Sequence, residues 1–189
     1  VNNTTDIHKE LIELSKKGDK RAQYKLYQYY SKAMLNLAYR MTGRVDEAED
    51  ILQDAFTSAF IQLPSFRFES SFGSWLKRIV INHCINMLNK QRVNVQSFDA
   101  LSYFDKAEDT APDIPDELLD VKNIHLALMK LPDGYRVVFN LYMIEGYDHS
   151  EISQILGISE STSKTQYMRA RNKVRDLLLA HLNVKAVGF

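Results

Sequence analysis

The sequence predicts an all-α protein: two small helical domains joined by a flexible acidic linker, the second domain a helix-turn-helix. Three observations predict it. Apolar residues recur at steps of three and four over most of the chain, as on one face of a helix. No stretch alternates with period two for long enough to make a strand. The charge is also segregated, although 24 basic and 24 acidic side chains cancel overall. Residues 1–92 carry net +4, residues 93–120 net −7 and residues 121–189 net +3. The expected division is therefore a first domain over 1–92, a linker over 93–120 and a second domain over 121–189.

The elements follow in order. A short helix around Ile7, Leu11 and Leu14 ends near Gly18. Ala22, Leu26, Tyr29, Ala33 and Leu37 then mark the inner face of a second helix. Val45, Ala48, Leu52, Ala55, Ala59 and Leu63 mark a third, and Phe72, Leu76, Ile79, His83 and Met87 a fourth. Gly43 and Pro64 punctuate them. Val93 to Thr110 shows no sustained period and reads as linker. Beyond it, Ile124, Leu128 and Leu131 share a face that ends at Pro132. Tyr135, Val138, Phe139 and Tyr142 make the next helix, stopped near Gly146. Asp148 and Glu151 are spaced as a capping box, and Ile152, Ile155 and Leu156 face inward from the short helix they open. Gly157 supplies the tight turn. Ser159 caps a last helix running to about His181, with Tyr167, Ala170, Val174, Leu177 and Leu178 on its inner face.

Composition excludes several classes. The chain has 189 residues, 45% of them apolar, enough for a core. Its single cysteine, Cys84, rules out a disulfide framework and reads as a small core residue. No apolar run is long enough to span a membrane. Val1 to Asp19 is polar, without the apolar stretch of a signal peptide. A cytoplasmic protein without membrane insertion, cofactor or metal is expected. There is no glycine-rich nucleotide loop, no nucleophile elbow and no zinc-protease motif, so no enzyme is expected.

Two segments carry nucleic-acid chemistry. In the last helix Lys164, Thr165, Met168 and Arg169 lie opposite the apolar face, with Arg171 and Arg175 extending a basic edge. Lys and Arg can pair with guanine, and Thr or Met can touch a thymine methyl. Ser159, Ser161 and Thr162 at the helix start suit a phosphate. Earlier, Phe66, Arg67 and Phe68 interleave aromatic and basic side chains in a loop, a pattern fit for unstacked bases. Phe72 and Trp75 read as core. Along the helix that follows, Arg78, Asn82, Asn86 and Asn89 form a polar stripe ending in Lys90, able to meet bases or phosphates.

Five motifs in one order resemble the extracytoplasmic-function (ECF) group of bacterial RNA polymerase sigma factors, of the sigma-70 family. They are DEAEDILQDAF at 46–56, FRFESSFGSWLKRI at 66–79, LPDGYRVVF at 131–139, EGYDHSEISQILGI at 145–158, and Thr162 to Arg171. The resemblance implies a transcription initiation factor whose partners are core RNA polymerase, promoter DNA and an anti-sigma factor. It places polymerase binding on Asp46, Glu49, Asp50, Gln53 and Asp54. It places minus-ten recognition and melting on Phe66, Arg67, Phe68, Glu69, Ser70 and Ser71 and on the helix from Trp75 to Lys90. Minus-thirty-five recognition falls on the helix-turn-helix. The chain departs from the family's usual residues at three positions. Phe68 replaces a glycine, Ser163 replaces a valine and so loosens inner packing, and Gln166 replaces a basic contact. The alternative, a stand-alone helix-turn-helix regulator of duplex DNA, leaves the aromatic loop and the Asp50–Asp54 face without a purpose.

Overall fold

The computed structural model describes the backbone of residues 8–94 and 120–186 and the side chains of residues 8–90, 120 and 122–180. Ile7 and the expected linker between 95 and 119 lie outside them. Among the described residues every regular element is a helix. The chain divides into two compact units, Val1–Gln91 and Arg92–Phe189.

The first unit holds α1 (Lys9–Lys16), α2 (Lys20–Thr42), α3 (Val45–Gln62) and all but the last three residues of α4 (Phe72–Asn94). Asp19 caps α2 by accepting from the backbone N–H of Arg21 at 2.8 Å and of Ala22 at 3.0 Å. Gly43 ends the helix at φ +76°, a left-handed position that glycine takes without steric cost. Pro64 opens a 3₁₀ turn, Leu63–Ser65, that turns the chain out of α3. The core is drawn from all four helices and includes Ile12, Leu26, Leu37, Met41, Ile51, Leu63, Phe72, Leu76 and Ile81.

The inner face of α2 differs from the expected one. Ala22, Leu26 and Leu37 are buried, but Tyr29 is 62% exposed and Ala33 is exposed. The buried row runs through Met34, Ala38 and Met41 instead. Both neighbouring tyrosines satisfy the helical period, and packing selects Tyr30, whose ring meets Phe72 edge-on at 5.1 Å. Gly73 makes room for it, since a Cβ there would lie 3.2 Å from the Tyr30 ring. Val45 is likewise exposed, because α3 begins there and its buried row starts at Ala48. On α4, His83 and Met87 are only half-buried, and Val80, Cys84 and Leu88 complete the inner face. The side chains of Ser58 and His83 join α3 to α4 at 3.1 Å. Burial pushes the Cys84 thiol up to about 12, so it stays protonated and unreactive at neutral pH.

The second unit holds α5 (Val121–Met129), α6 (Asp133–Phe139), α7 (His149–Leu156) and α8 (Glu160–Ala186). A π-helical turn, Asn140–Ile144, prolongs α6. Its core is built from Ala127, Leu128, Leu131, Phe139, Ala170, Val174 and Leu178. The Arg136 guanidinium is buried, and it donates to the Leu131 carbonyl at 2.9 Å and to the Asp133 carboxylate. Those bonds tie α6 to the end of α5 and satisfy a charge that would be costly alone. The capping box forms: the Glu151 N–H donates to Asp148 at 2.7 Å, and the Asp148 N–H donates to Glu151 at 2.9 Å. Gly157 turns at φ +65°. Ile152 is fully buried, while Ile155 and Leu156 are half-buried.

Candidate nucleic-acid interface

The start of α8 is organised by hydroxyl groups. Ser159 Oγ accepts from the Thr162 N–H at 3.0 Å and lies 2.9 Å from Ser161 Oγ and 2.7 Å from Thr162 Oγ1. Beyond it, Lys164, Thr165, Met168 and Arg171 are exposed, and Gln166 and Arg169 half-buried, while Ala170 and Val174 point into the core. Every residue expected on the outer face of this helix therefore has an accessible side chain. Lys164 pairs with Glu160 at 2.7 Å, with both side chains more than half exposed. Such a surface pair contributes about 0–1 kcal/mol, so a phosphate or a base can displace the glutamate.

Ser163 does not leave the inner face loose. It is fully buried, and its Oγ lies 2.9 Å from His149 Nδ1, a hydrogen bond between α8 and the first turn of α7. The His149 ring in turn stacks on Tyr142 at 4.4 Å and 13°. A polar link and an aromatic stack thus replace the aliphatic contact a valine would make. Tyr167 completes the cluster, 4.5 Å from the Tyr142 ring, with its hydroxyl on Met143 Sδ at 3.0 Å. Burial raises the Tyr167 phenol above its ordinary range, against the opposing pull of Arg171. Helical spacing places Tyr142 on an apolar face but carries no signal for the link from His149 to Ser163, which depends on how α7 and α8 cross.

In the first unit the loop 66–71 divides into a buried anchor and an exposed rim. The sequence pattern offers Phe66 as a ring to stack on a base, but it is 5% exposed and belongs to the core. Its ring centroid lies 4.9 Å from Phe68, 5.1 Å from Trp75 and 6.0 Å from Phe72. Trp75 and Phe72 are 5.6 Å apart in the same cluster. Aromatics of this size lower their free energy most by leaving water, and a pocket of three rings receives Phe66. Arg67, Glu69 and Ser70 are exposed, and Phe68 and Ser71 partly so. Phe68 is the one non-glycine residue with positive φ among the described residues, at +59°. That conformation costs a side chain about 1–2 kcal/mol. A cation lies against the turn: Lys16 Nζ donates to the Phe66 carbonyl at 2.7 Å and sits 4.4 Å from the Phe68 ring centroid. Lys16 is fifty positions from Phe66 in sequence, and no periodicity connects them.

From this loop α4 leads away with Arg78, Asn82, Asn86, Asn89 and Lys90 all exposed. On α3, Asp46, Glu49, Asp50, Gln53 and Asp54 are also all exposed, while Ala48, Ile51, Leu52 and Ala55 are buried. Loop, α4 stripe and acidic face belong to one unit, and the helix-turn-helix to the other. Among the described residues no group of three or more His, Cys, Asp or Glu side chains is placed to hold a metal ion. Nor is any helix among them long and apolar enough to cross a membrane.

Comparison with known proteins identifies the family. Residues 26–93 match the family described as Sigma-70 region 2, and residues 122–174 match Sigma-70, region 4. The ECF RNA polymerase sigma factor SigW of Bacillus subtilis is 34% identical over 179 residues, 90% of this chain and 96% of that one. The ECF RNA polymerase sigma factor SigM of Mycobacterium tuberculosis is 32% identical over 173 residues, 89% of this chain and 83% of that one. The fold resembles the sigma factor RpoE of Bartonella quintana, solved with the anti-sigma factor NepR, with a TM-score of 0.54 and 26% identity over 82% of this chain and 95% of that one. A helix-turn-helix with its outer face accessible, an aromatic loop and both sigma-70 regions in order lead to one conclusion: the chain belongs to the ECF RNA polymerase sigma factors, which initiate transcription and are not enzymes.

Proposed function

We propose that the two units divide the work of initiation. Residues 1–92 dock on core RNA polymerase through Asp46, Glu49, Asp50, Gln53 and Asp54 of α3, and capture the melted minus-ten strand with the 66–71 loop and the α4 stripe. Residues 121–189 lay α8 in the major groove of the minus-thirty-five element, with Ser159, Ser161 and Thr162 on a phosphate. Residues 93–120 connect them. An anti-sigma factor holds the chain inactive; the similar Bartonella sigma factor was solved in complex with one. On this reading the protein works in the cytoplasm, with core polymerase. The observation that carries the reading is the exposed carboxylate face of α3 in the same chain as a helix-turn-helix. A stand-alone regulator needs only the second.

The test compares promoter binding with and without core polymerase. Zero net charge provides little general attraction to DNA, where phosphate contacts dominate affinity. The free chain should bind a promoter duplex weakly, and the holoenzyme should select it. Tight, sequence-selective binding by the free chain would make it a stand-alone regulator. Within the holoenzyme, Lys164→Ala with Arg169→Ala should lower promoter affinity by about 1–3 kcal/mol for each base no longer read. Core binding should be spared. Unchanged transcription from an intact promoter would remove α8 from the role of reading helix.

Melting has its own test. Taking a base out of the stack costs a few kcal/mol. Stacking on an aromatic side chain returns about 1–3 kcal/mol per base. With Phe66 in the core, Phe68 is the loop ring able to supply this, and Arg67 the adjacent cation. Arg67→Ala with Phe68→Ala should slow open-complex formation on duplex DNA by about tenfold or more, and a pre-melted bubble should restore part of it. A bubble that restores nothing would move the defect to polymerase docking.

A further inference from the structure

We propose that Lys16, on α1, is a positioning residue for the 66–71 loop: its ammonium fixes the backbone turn on which Phe68 is presented. The inference rests on reading that loop as the strand-capturing element. The Lys16 side chain is only 18% exposed, and a charge so withdrawn from water needs partners. It finds them chiefly on the loop. Nζ donates to the Phe66 carbonyl at 2.7 Å and sits 4.4 Å from the Phe68 ring centroid and 5.8 Å from that of Phe66. Glu13, one turn back on α1, also accepts from the ammonium at 3.4 Å. Lys9 adds a second cation, 5.8 Å from the Phe68 ring.

These contacts bracket the strained residue. Phe68 holds φ +59°, which a side chain keeps only where its surroundings over-determine it. An ammonium has three donors and also attracts the face of an aromatic ring. It can therefore bond the carbonyl two residues before Phe68 and hold the Phe68 ring at once. A glycine at this position would adopt the turn freely and need no clamp. Lys16 is thus coupled to the aromatic side chain at 68 in particular. In chemical terms the clamp is preorganisation: the loop meets a flipped base already ordered, so ordering it draws nothing from the binding energy.

The test is a double-mutant cycle of Lys16→Met and Phe68→Gly, with Lys16→Arg as the conservative variant. The readouts are holoenzyme opening of a promoter selected from a random-sequence duplex library by the wild-type holoenzyme, core affinity, melting temperature, and emission from Trp75. Trp75 is the chain's one tryptophan and lies 5.1 Å from Phe66. Lys16→Met should slow opening by about tenfold or more, the size of one charge-assisted hydrogen bond. It should shift Trp75 emission, lower the melting temperature by about 5–10 °C because the same bond is lost from the folded state, and leave core affinity near wild type. Lys16→Arg should recover most of the rate. In the Phe68→Gly background the bond to the Phe66 carbonyl remains but the ring contact and the strain are gone, so Lys16→Met should slow opening several-fold less than it does in the wild type. Wild-type opening by Lys16→Met would overturn the proposal. So would an equal loss in the glycine background, which would make Lys16 a direct DNA contact, or weakened core affinity, which would make it part of the docking surface. A wild-type holoenzyme that selects and opens no promoter would count against the proposed function itself, before Lys16 is in question.

Discussion

Phe72→Ala is expected to destabilise the first unit by about 3–5 kcal/mol, the loss found when a buried phenylalanine is truncated and its cavity cannot collapse. Phe72 is fully buried at the first residue of α4. Three aromatic neighbours define the cavity it would leave: Tyr30 at 5.1 Å, Trp75 at 5.6 Å and Phe66 at 6.0 Å. Rings are stiff and fill such a space poorly. A small domain is stable by only about 5–15 kcal/mol, so the loss takes a large share of the total. In a domain of this size each kcal/mol moves the midpoint by about 4–8 °C, so melting should fall by at least about 12 °C. Circular dichroism follows the helices, and Trp75 emission follows the cluster itself. Phe72→Leu, closer in volume, should lose less. A Phe72→Ala midpoint within a few degrees of wild type would mean that the ring does not organise this corner. Because Phe66 leans on the same cluster, the loop would loosen with it, and melting of DNA would be impaired for a structural reason. The Arg67 and Phe68 substitutions reduce that ambiguity: Arg67 is exposed, and Phe68, half-buried 4.9 Å from Phe66, is not among the core residues.

What the sequence could reveal follows the range over which each feature is decided. The capping box of Asp148 and Glu151, the left-handed Gly157 and the hydroxyl cap at Ser159 are settled within four residues, and the structure holds all of them. Exposure of Asp46, Asp50 and Gln53 on α3, and of Arg78, Asn82 and Asn86 on α4, follows from helical period and is equally legible. Loop residues have no period. Phe66 and Phe68 therefore look alike in sequence, and only the Trp75–Phe72 pocket separates the buried ring from the presented one. Tyr29 and Tyr30 pose the same choice on α2. The links from His149 to Ser163 and from Lys16 to Phe66 join elements whose meeting is decided by tertiary packing. Neither leaves a local trace, although the unusual Ser163 and Phe68 mark the two places where something has to compensate.

Asp50→Ala with Gln53→Ala is expected to weaken binding to core polymerase by about thirtyfold or more while leaving the fold intact. The first half follows from the chemistry of a docked acid: removing one partner of a desolvated charge pair costs about 2–5 kcal/mol, mostly through the charge left unpaired. The second half follows from the geometry of α3. Asp50 and Gln53 are exposed, and the face that anchors the helix is Ala48, Ile51, Leu52, Ala55, Phe56 and Ala59. Folding asks little of the acidic face. Asp46, Asp50 and Asp54 stand four apart, a spacing at which like charges cost a helix a few tenths of a kcal/mol. The helix dipole offsets part of that only in the first turn, where Asp46 and Glu47 lie. Glu47 is already paired with Arg44 at 2.6 Å. The double variant should therefore melt at or slightly above the wild-type temperature. Competition for core polymerase measures the affinity, and circular dichroism measures the fold. Asp50→Asn keeps the size and removes the charge, so it should lose most of what Asp50→Ala loses if a cation of polymerase is the partner. Complementary charge also sets the encounter rate, so raising the salt should slow wild-type association more than that of the variant. A folded double variant with normal core affinity would move the docking surface off α3 and leave the carboxylates as no more than the solvated side of a helix.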